Sequence, residues 1–164
     1  MPENIAPQPK NLIAFKTICQ SKYIGYSMAS YGMTQVSKDL QELEGYNPEG
    51  MFQIGSDPKK PIAEIKNRNA MLGMQKNGPF SQMIGMNIIV SIYTMWEEVW
   101  RKKIAEELKL ENKNEVGCDV MGEVNRVRQA IVHHDSFPID DFKPTIFEWP
   151  LTEEGRFWFT SKRA

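Results

Sequence analysis

Cysteine and histidine are scarce in this chain, and their scarcity excludes several kinds of site. The 164 residues include two cysteines, Cys19 and Cys118, and two histidines. The cysteines show neither CxxC spacing nor a Cys/His cluster, which argues against a zinc centre and against a disulfide scaffold. The composition therefore predicts no metal site, and a reducing cytoplasm is the compartment that fits it best.

Several familiar motifs are also absent. The sequence has no GxSxG elbow, no GxxxxGK[ST] loop and no HExxH helix, so other enzyme classes find little support and no cofactor is expected. No apolar run approaches 18 residues, and the start MPENIAPQPKN lacks the basic and apolar regions of a signal peptide. These observations predict neither a membrane span nor a secretory leader.

The chain lacks an excess of either positive or negative charge. The chain has 20 Lys and Arg against 21 Asp and Glu, a net charge of -1. Such a balance gives no overall attraction to nucleic acid, so any contact with RNA must come from a local patch or from the groove of a dimer.

The apolar pattern predicts one all-α domain, an up-and-down bundle of four to five helices that covers residues 1–164. Helices are expected over 11–43, 61–74, 81–110 and 119–135, with a loop at 45–61, a flexible arm at 1–10 and a C-terminal extension at 136–164. The extension contains the runs IFEW and RFWFT, which predict a small β-hairpin or a packed extended tail. Its aromatic end implies docking on the bundle or on a partner, or a longer chain.

The first helix has an apolar stripe and two glycines inside it. The stripe consists of Phe15, Ile18, Tyr26, Ala29, Met33, Val36, Leu40 and Leu43. Gly25 and Gly32 each cost on the order of 1 kcal/mol relative to alanine, which suggests a kink or break between residues 21 and 32.

The segment from Asp119 to Asp135, DVMGEVNRVRQAIVHHD, holds both histidines. Its apolar stripe is Val120, Val124, Val127 and Ile131, and the residues off that stripe are Glu123, Asn125, Arg126, Arg128 and Gln129. The helix is therefore expected to have a core-facing side and a cationic side. Arg128 precedes His133 by five positions, near the point where Asp135 and Pro138 end the helix. A guanidinium beside an imidazole, which titrates near neutral pH, suits the handling of phosphate.

The run Arg128-Gln-Ala-Ile-Val-His133, preceded by a helix with Met-Trp-Glu at 95–97, resembles the HEPN superfamily. Members of this family are all-helical domains with an Arg, usually a polar residue, and a His after four to six positions. Gln129 fills the polar position, where Asn, Asp or His is more usual. The resemblance covers roughly residues 81–135. Asp135 stands where one branch of the family carries a tyrosine that is adenylylated, so that regulation is not expected.

The resemblance implies a metal-independent endoribonuclease of bacterial defence or toxin–antitoxin systems, with an antitoxin or other inhibitory partner. Arg128 and His133 are the implied catalytic pair, and Glu97 corresponds to a polar residue that is often directed toward that pair. One histidine cannot easily make both proton transfers, whereas HEPN ribonucleases generally build the site at the two-fold interface of a homodimer. The implied products carry a 2′,3′-cyclic phosphate and a 5′-hydroxyl.

The register of the pair stays open, because Arg128 with His134 and Arg126 with His133 also fall within the family's spacing. On an ideal helix Arg126 shares a face with His133 more closely than Arg128 does, so the Arg128 pairing requires the helix to end or tighten near His133. Asn125, Gln129, His134 and Asp135 are supporting candidates around the same groove. The alternative function is a non-catalytic helical module that binds a protein or a nucleotide, with the histidines finishing a helix by complementing its dipole.

Overall fold

The computed structural model describes residues 8–138, 146–147 and 157, and it confirms that the chain is mostly helical. The elements are α1 (Lys10–Glu42), β1 (Met51–Ile54), β2 (Ala63–Lys66), α2 (Asn67–Met74), α3 (Pro79–Met95), a π-helical turn (Trp96–Trp100), α4 (Arg101–Leu108), a 3₁₀ turn (Lys113–Glu115) and α5 (Asp119–His133). Within this described part, no helix is both long and apolar enough to span a bilayer.

The described residues group into two compact units. The first contains residues up to 24 together with those from 86 onward, and the second contains residues 25–85. The motif helix α5 belongs to the first unit.

The core of the first unit is built around aromatic side chains. Its buried members are Phe15, Trp96, Ile104, Ala105, Val116, Met121 and Val124. The ring of Phe15 lies 5.4 Å from that of Trp96 and 6.1 Å from that of Trp100. The helix expected over 81–110 is confirmed over 79–108, with a π-helical turn that the apolar period did not indicate. Trp96 and Trp100 are thus core residues, and they position α4 against the start of α1.

A carboxylate from α4 caps α1. Glu107 accepts hydrogen bonds from the backbone N–H groups of Lys10, at 2.7 Å, and Asn11, at 2.9 Å. These are among the first N–H groups of the helix, which have no partner within it. The bond from the Asn11 N–H, followed by that from Lys10, lowers the pKa of Glu107. The cap is therefore a distant residue that no local pattern identifies.

The second unit contains a β-hairpin. Strand β1 pairs antiparallel with β2, so that Met51 lies opposite Lys66 and Phe52 lies opposite Ile65. The expected loop over 45–61 is therefore interrupted by strand β1, and the expected helix start at Pro61 is wrong, because β2 follows there. Cross-strand pairing joins residues that a Pro-containing loop separates, and a local helical period cannot detect it. Helix α2 begins only at Asn67.

Helix α1 runs without a break through both of its glycines. Its middle places polar residues inward, since Ser30 and Ser37 are buried. The Ser30 hydroxyl lies 3.1 Å from that of Ser81, and the Ser37 hydroxyl donates to the carbonyl of Met71 at 3.1 Å. Among the residues of the expected apolar stripe, Phe15 and Tyr26 are buried, whereas Ala29, Val36 and Leu43 are exposed. Met33 and Leu40 of the stripe are half-buried, so the stripe is wrong at its exposed members, and small serines occupy the closely packed side of the helix.

Candidate functional site

Helix α5 has one buried side and one exposed side. Val124 and Val127 are buried as expected, and Ala130 is buried with them. Val120 lies in the first turn and is exposed, while Ile131 is half-buried. The expected apolar stripe is therefore confirmed in its middle, and it fixes which side chains α5 presents to solvent.

The end of α5 is regular up to the first histidine. The N–H of His134 donates to the carbonyl of Ala130 at 3.0 Å, which is ordinary α-helical spacing. Asp135 and Ser136 then take left-handed conformations, with φ of 50° and 67°. The N–H of Ser136 turns back to the same carbonyl at 2.9 Å. The helix therefore ends after His133 and does not tighten before it.

This regular geometry decides which candidate residues share a face. Arg126, Gln129 and His133 follow one another at three- and four-residue steps, so their directions from the axis fall within about 60°. Arg126 and His133 differ by only about 20°, whereas Arg128 and His133 differ by about 140°. Within one chain the structure therefore brings Arg126, Gln129 and His133 together and turns Arg128 away from them. His134 follows the last helical residue and is exposed.

Cations on α5 have no carboxylate partners among the described residues. The ion pairs there join lysines and arginines elsewhere to Glu49, Glu97 and Glu106. None of them involves Arg126, Arg128 or His133. The exposed side of α5 therefore carries positive charge that this part of the protein does not neutralise.

Two polar atoms of α5 are buried without a hydrogen bond in the described part of the chain. They are Nε of Arg128 and Oδ1 of Asn125. The two residues lie one turn apart, about 60° from each other around the helix. A buried donor or acceptor without a partner costs about 1–3 kcal/mol. Three other side-chain atoms of the described residues, on Ser27, Tyr46 and Asn77, are also buried without a hydrogen bond, so the feature is not particular to this turn.

Glu97 orients a guanidinium, but it is that of Arg101. Its carboxylate accepts from Arg101 Nη1 at 3.0 Å and lies 2.8 Å from Lys113 Nζ. The hydrogen bond from Lys113, followed by that from Arg101, holds the pKa of Glu97 below its ordinary value. Lys113 also donates to the Glu97 carbonyl at 3.1 Å. Glu97 therefore ties the π-helical turn to the 3₁₀ turn before α5.

Sequence reasoning missed Glu123. Its side chain is 6% exposed and accepts the backbone N–H groups of Ile146, at 3.2 Å, and Phe147, at 3.1 Å. The spacing did contain a signal, since Glu123 precedes the buried Val127 by four residues and Ala130 by seven. Its carboxylate fixes the C-terminal extension against the motif helix.

The extension also returns to the end of α5. Phe157 is buried, and its N–H donates to the carbonyl of Ser136 at 2.9 Å. The docking expected from the aromatic end of the chain is seen at this residue. The expected C-terminal hairpin lies outside the described residues, apart from Ile146, Phe147 and Phe157. The end of the motif helix is thus anchored by a segment that follows it.

Comparison of the chain with protein-family models, with curated proteins and with solved structures found no significant match.

Proposed function

We propose that this protein is a metal-independent endoribonuclease of HEPN type, an up-and-down helical bundle whose active site lies on the exposed side of α5. The observation that carries the proposal is the unmatched cationic side chains beside an exposed imidazole. Arg126 and His133 face the same way, and Arg128 keeps a buried N–H group without a partner in the described chain. A phosphate of RNA has several acceptor oxygens and suits Arg126 and His133 of one chain, whereas Arg128 points away from that pair and enters the proposal only through a second copy.

The proposed reaction is a phosphoryl transfer within the RNA chain. His133 takes the proton of the ribose 2′-hydroxyl, whose oxygen attacks the adjacent phosphorus as the bond to the 5′-oxygen breaks. A protonated imidazole, His133 of a second copy, gives its proton to that leaving oxygen. The arginines donate to the phosphoryl oxygens, where negative charge builds up. The products are a 2′,3′-cyclic phosphate and a 5′-hydroxyl.

A second copy also resolves the position of Arg128. Because Arg128 and His133 leave one helix about 140° apart, they reach the same phosphate most easily when they come from different chains. A homodimer with a composite site is therefore part of the proposal. Arg126 is the competing arginine, since it reaches a phosphate beside His133 within one chain.

The proposed setting is the bacterial cytoplasm, in defence or in a toxin–antitoxin pair. An RNA is the substrate, and an inhibitory protein is the partner that restrains it. The family resemblance supports this setting.

The test is incubation of the purified protein with mixed RNA in EDTA. We expect cleavage with cyclic-phosphate ends, and a loss of about 10²- to 10⁴-fold in His133→Ala. His134→Ala is the matched control, because it removes a neighbouring exposed imidazole. Arg128→Ala and Arg126→Ala distinguish the two registers. Each variant is first compared with wild type in circular dichroism and in molecular mass.

Cleavage that is undiminished in His133→Ala would contradict the proposal. The second candidate function is then a non-catalytic module that binds RNA or a protein. The divergence of Arg128 and His133 on a regular helix favours it, since a binding surface needs no convergence of the two. It predicts retained RNA binding, no cyclic-phosphate product and weaker binding in Arg126→Ala.

A further inference from the structure

The second unit contains a cleft where helix α1 ends. Its volume of about 280 Å³ is close to the lower limit of about 300 Å³ for small-molecule sites. Its walls come from Leu40 of α1, the turn at 43–47, Phe52 of β1, and Asn67 and Ala70 of α2. All of these residues belong to the second unit, so the cleft is formed within it.

Hydrogen bonds between loop and helix hold the cleft in shape. The N–H of Tyr46 donates to the carbonyl of Leu43 at 3.1 Å, and the backbone N–H of Asn67 donates to that of Gly50 at 2.8 Å. The side-chain Nδ2 of Asn67 donates to the carbonyl of Asn47 at 2.8 Å. A Cβ atom at Gly50 would lie 2.9 Å from that Nδ2, so the glycine leaves room for the bond. A ligand therefore enters a preformed space and orders little of the chain, which favours binding.

The charge of the cleft is negative. Glu44 is the only charged side chain among the described residues that line it. Its carboxylate is exposed and forms no ion pair with any of the described residues. Glu49 of the same unit is, by contrast, paired with Lys66 and Arg68 at 2.8 Å each. The cleft therefore repels phosphate and other anions and attracts a cation.

The end of α1 adds to this negative potential. The last carbonyls of a helix carry a partial negative charge, which lysine or arginine often complements. Helix α1 is 33 residues long and has no basic residue in its last turn. Leu40 lies in that turn and lines the cleft, so a positive group bound there also lies near the uncompensated end of the helix.

The remaining walls are apolar and aromatic. Leu43 is 59% exposed and Phe52 is 43% exposed, so both lose contact with water when a ligand covers them. Phe52 and Tyr46 contribute aromatic rings, which pack against apolar groups and attract cations over their faces. The cleft thus suits a ligand with two parts, one positively charged and one apolar.

We infer that this cleft binds a small organic cation, a free amine whose primary ammonium is carried on one aromatic ring or a short apolar chain. The ammonium lies at Glu44 and the end of α1, and the apolar part lies against Leu43 and Phe52. The volume of the cleft limits the ligand to about this size. The inference concerns the second unit alone, and it holds whether or not the protein cleaves RNA.

The test is a titration of the isotope-labelled full chain, followed by two-dimensional amide NMR. The probe is phenethylammonium, and its matched controls are phenethyl alcohol and hydrocinnamate, which carry a hydroxyl or a carboxylate in place of the ammonium. We expect the ammonium to shift the amide signals of Tyr46, Phe52 and Asn67. Its Kd should be at least about tenfold lower than that of the alcohol, and the carboxylate should cause no shift.

Variants separate the charge of the cleft from the charge of the whole chain. Glu44→Gln keeps the size of the side chain and should raise the Kd of phenethylammonium about five- to tenfold, with no change for the alcohol. The matched control is Glu42→Gln, because Glu42 is exposed and does not line the cleft. It should change the Kd by less than about twofold. The amide spectra also show that each variant is folded.

The aromatic wall is tested in the same way. Phe52→Leu keeps an apolar side chain on β1 but removes the ring, so the Kd of the ammonium should rise about threefold. Met51→Leu is the control, since Met51 lies on the same strand and does not line the cleft.

Four results would overturn the inference. They are the absence of shifts at the cleft up to millimolar amine, equal affinity for the alcohol and the ammonium, and equal weakening by Glu42→Gln and Glu44→Gln. The fourth is tighter binding of a Gly-Lys-Gly peptide than of the amine, which would assign the cleft to a lysine of a partner protein. Because the readout is ligand binding, loss of RNA cleavage does not bear on the inference.

Discussion

Cations gather both around Glu97 and along α5, but only those around Glu97 are paired with a carboxylate among the described residues. Arg101 and Lys113 approach the Glu97 carboxylate to 3.0 and 2.8 Å, and each also donates to a backbone carbonyl. Arg126 and Arg128 have no such partner among the described residues. The first group joins two segments of the fold. The second is left unmatched in a chain of net charge -1, which is the arrangement expected of groups that bind an anion from solution.

The largest expected effect tests whether the unmatched groups act across two chains. His133→Ala protein, itself expected to be nearly inactive, is mixed with an equal amount of wild type and allowed to exchange subunits. Because a composite site takes its proton acceptor and its proton donor from the His133 of two copies, only dimers of two wild-type chains are active. Those dimers are a quarter of the total, so we expect the cleavage rate to be about a quarter of that of the same total amount of wild-type protein.

Measurement of cyclic-phosphate product in the mixture checks this expectation. A mixture of His134→Ala with wild type is the control, and exchange of subunits is demonstrated by mass. A rate of about one half, as expected of chains that act independently, would place both proton transfers in one chain and contradict the composite site.

The second effect concerns the buried carboxylate of Glu123. Glu123→Ala removes the acceptor for two backbone N–H groups of the extension, so the free energy of unfolding should fall by about 1–3 kcal/mol. Glu123→Gln keeps one acceptor oxygen and should lose less. Urea unfolding followed by tryptophan fluorescence measures both. Equal stability of Glu123→Ala and wild type would show that the carboxylate does not fix the extension.

The third prediction adds a carboxylate beside the unpaired cations of α5. Gln129→Glu places a carboxylate three residues after Arg126 and four before His133, within reach of both. RNA binding should weaken about tenfold, and the salt dependence should fall by about one phosphate contact. Fluorescence anisotropy with a 2′-O-methyl RNA, which cannot be cleaved, measures the affinity at several salt concentrations. Gln129→Ala is the control, and an equal loss in that variant would mean that the amide acts by contact and not through charge.

The helices were the part of the fold that could best be predicted from the sequence, because their apolar period is local. Helix α5 and the long segment before it were expected nearly at their observed bounds. The hairpin was missed because Phe52 and Ile65 pair across a loop that no helical period reaches. The inward serines of α1 were missed because hydropathy assigns Ser30 to the surface, whereas the close contact with Ser81 requires a small side chain.

The candidate site was predicted as a set of residues and not as a geometry. The spacing of Arg128 and His133 resembles the pattern of a family. The direction of each side chain, however, depends on whether the helix continues to the histidine. It does, and this brings Arg126 forward as the nearer neighbour. The role of Glu97 depended on Lys113, which lies beyond the end of α4 and could not be placed beside it from spacing alone.

The smallest expected effect concerns the ion pairs of Glu97 and depends on pH. Lys113 and Arg101 lower the pKa of Glu97, so the ionised form stabilises the folded state above the ordinary glutamate pKa of about 4.3. That contribution is lost as the pH falls through the lowered pKa. Glu97→Gln should therefore reduce the free energy of unfolding by about 1 kcal/mol at neutral pH and by less in acid. Urea midpoints from neutral pH to about pH 3 measure the difference, with the exposed neighbour Glu98→Gln as control. If both variants follow the same acid dependence, the ion pairs of Glu97 contribute no more to stability than an exposed carboxylate does, and the contrast with α5 is then one of position and not of energy.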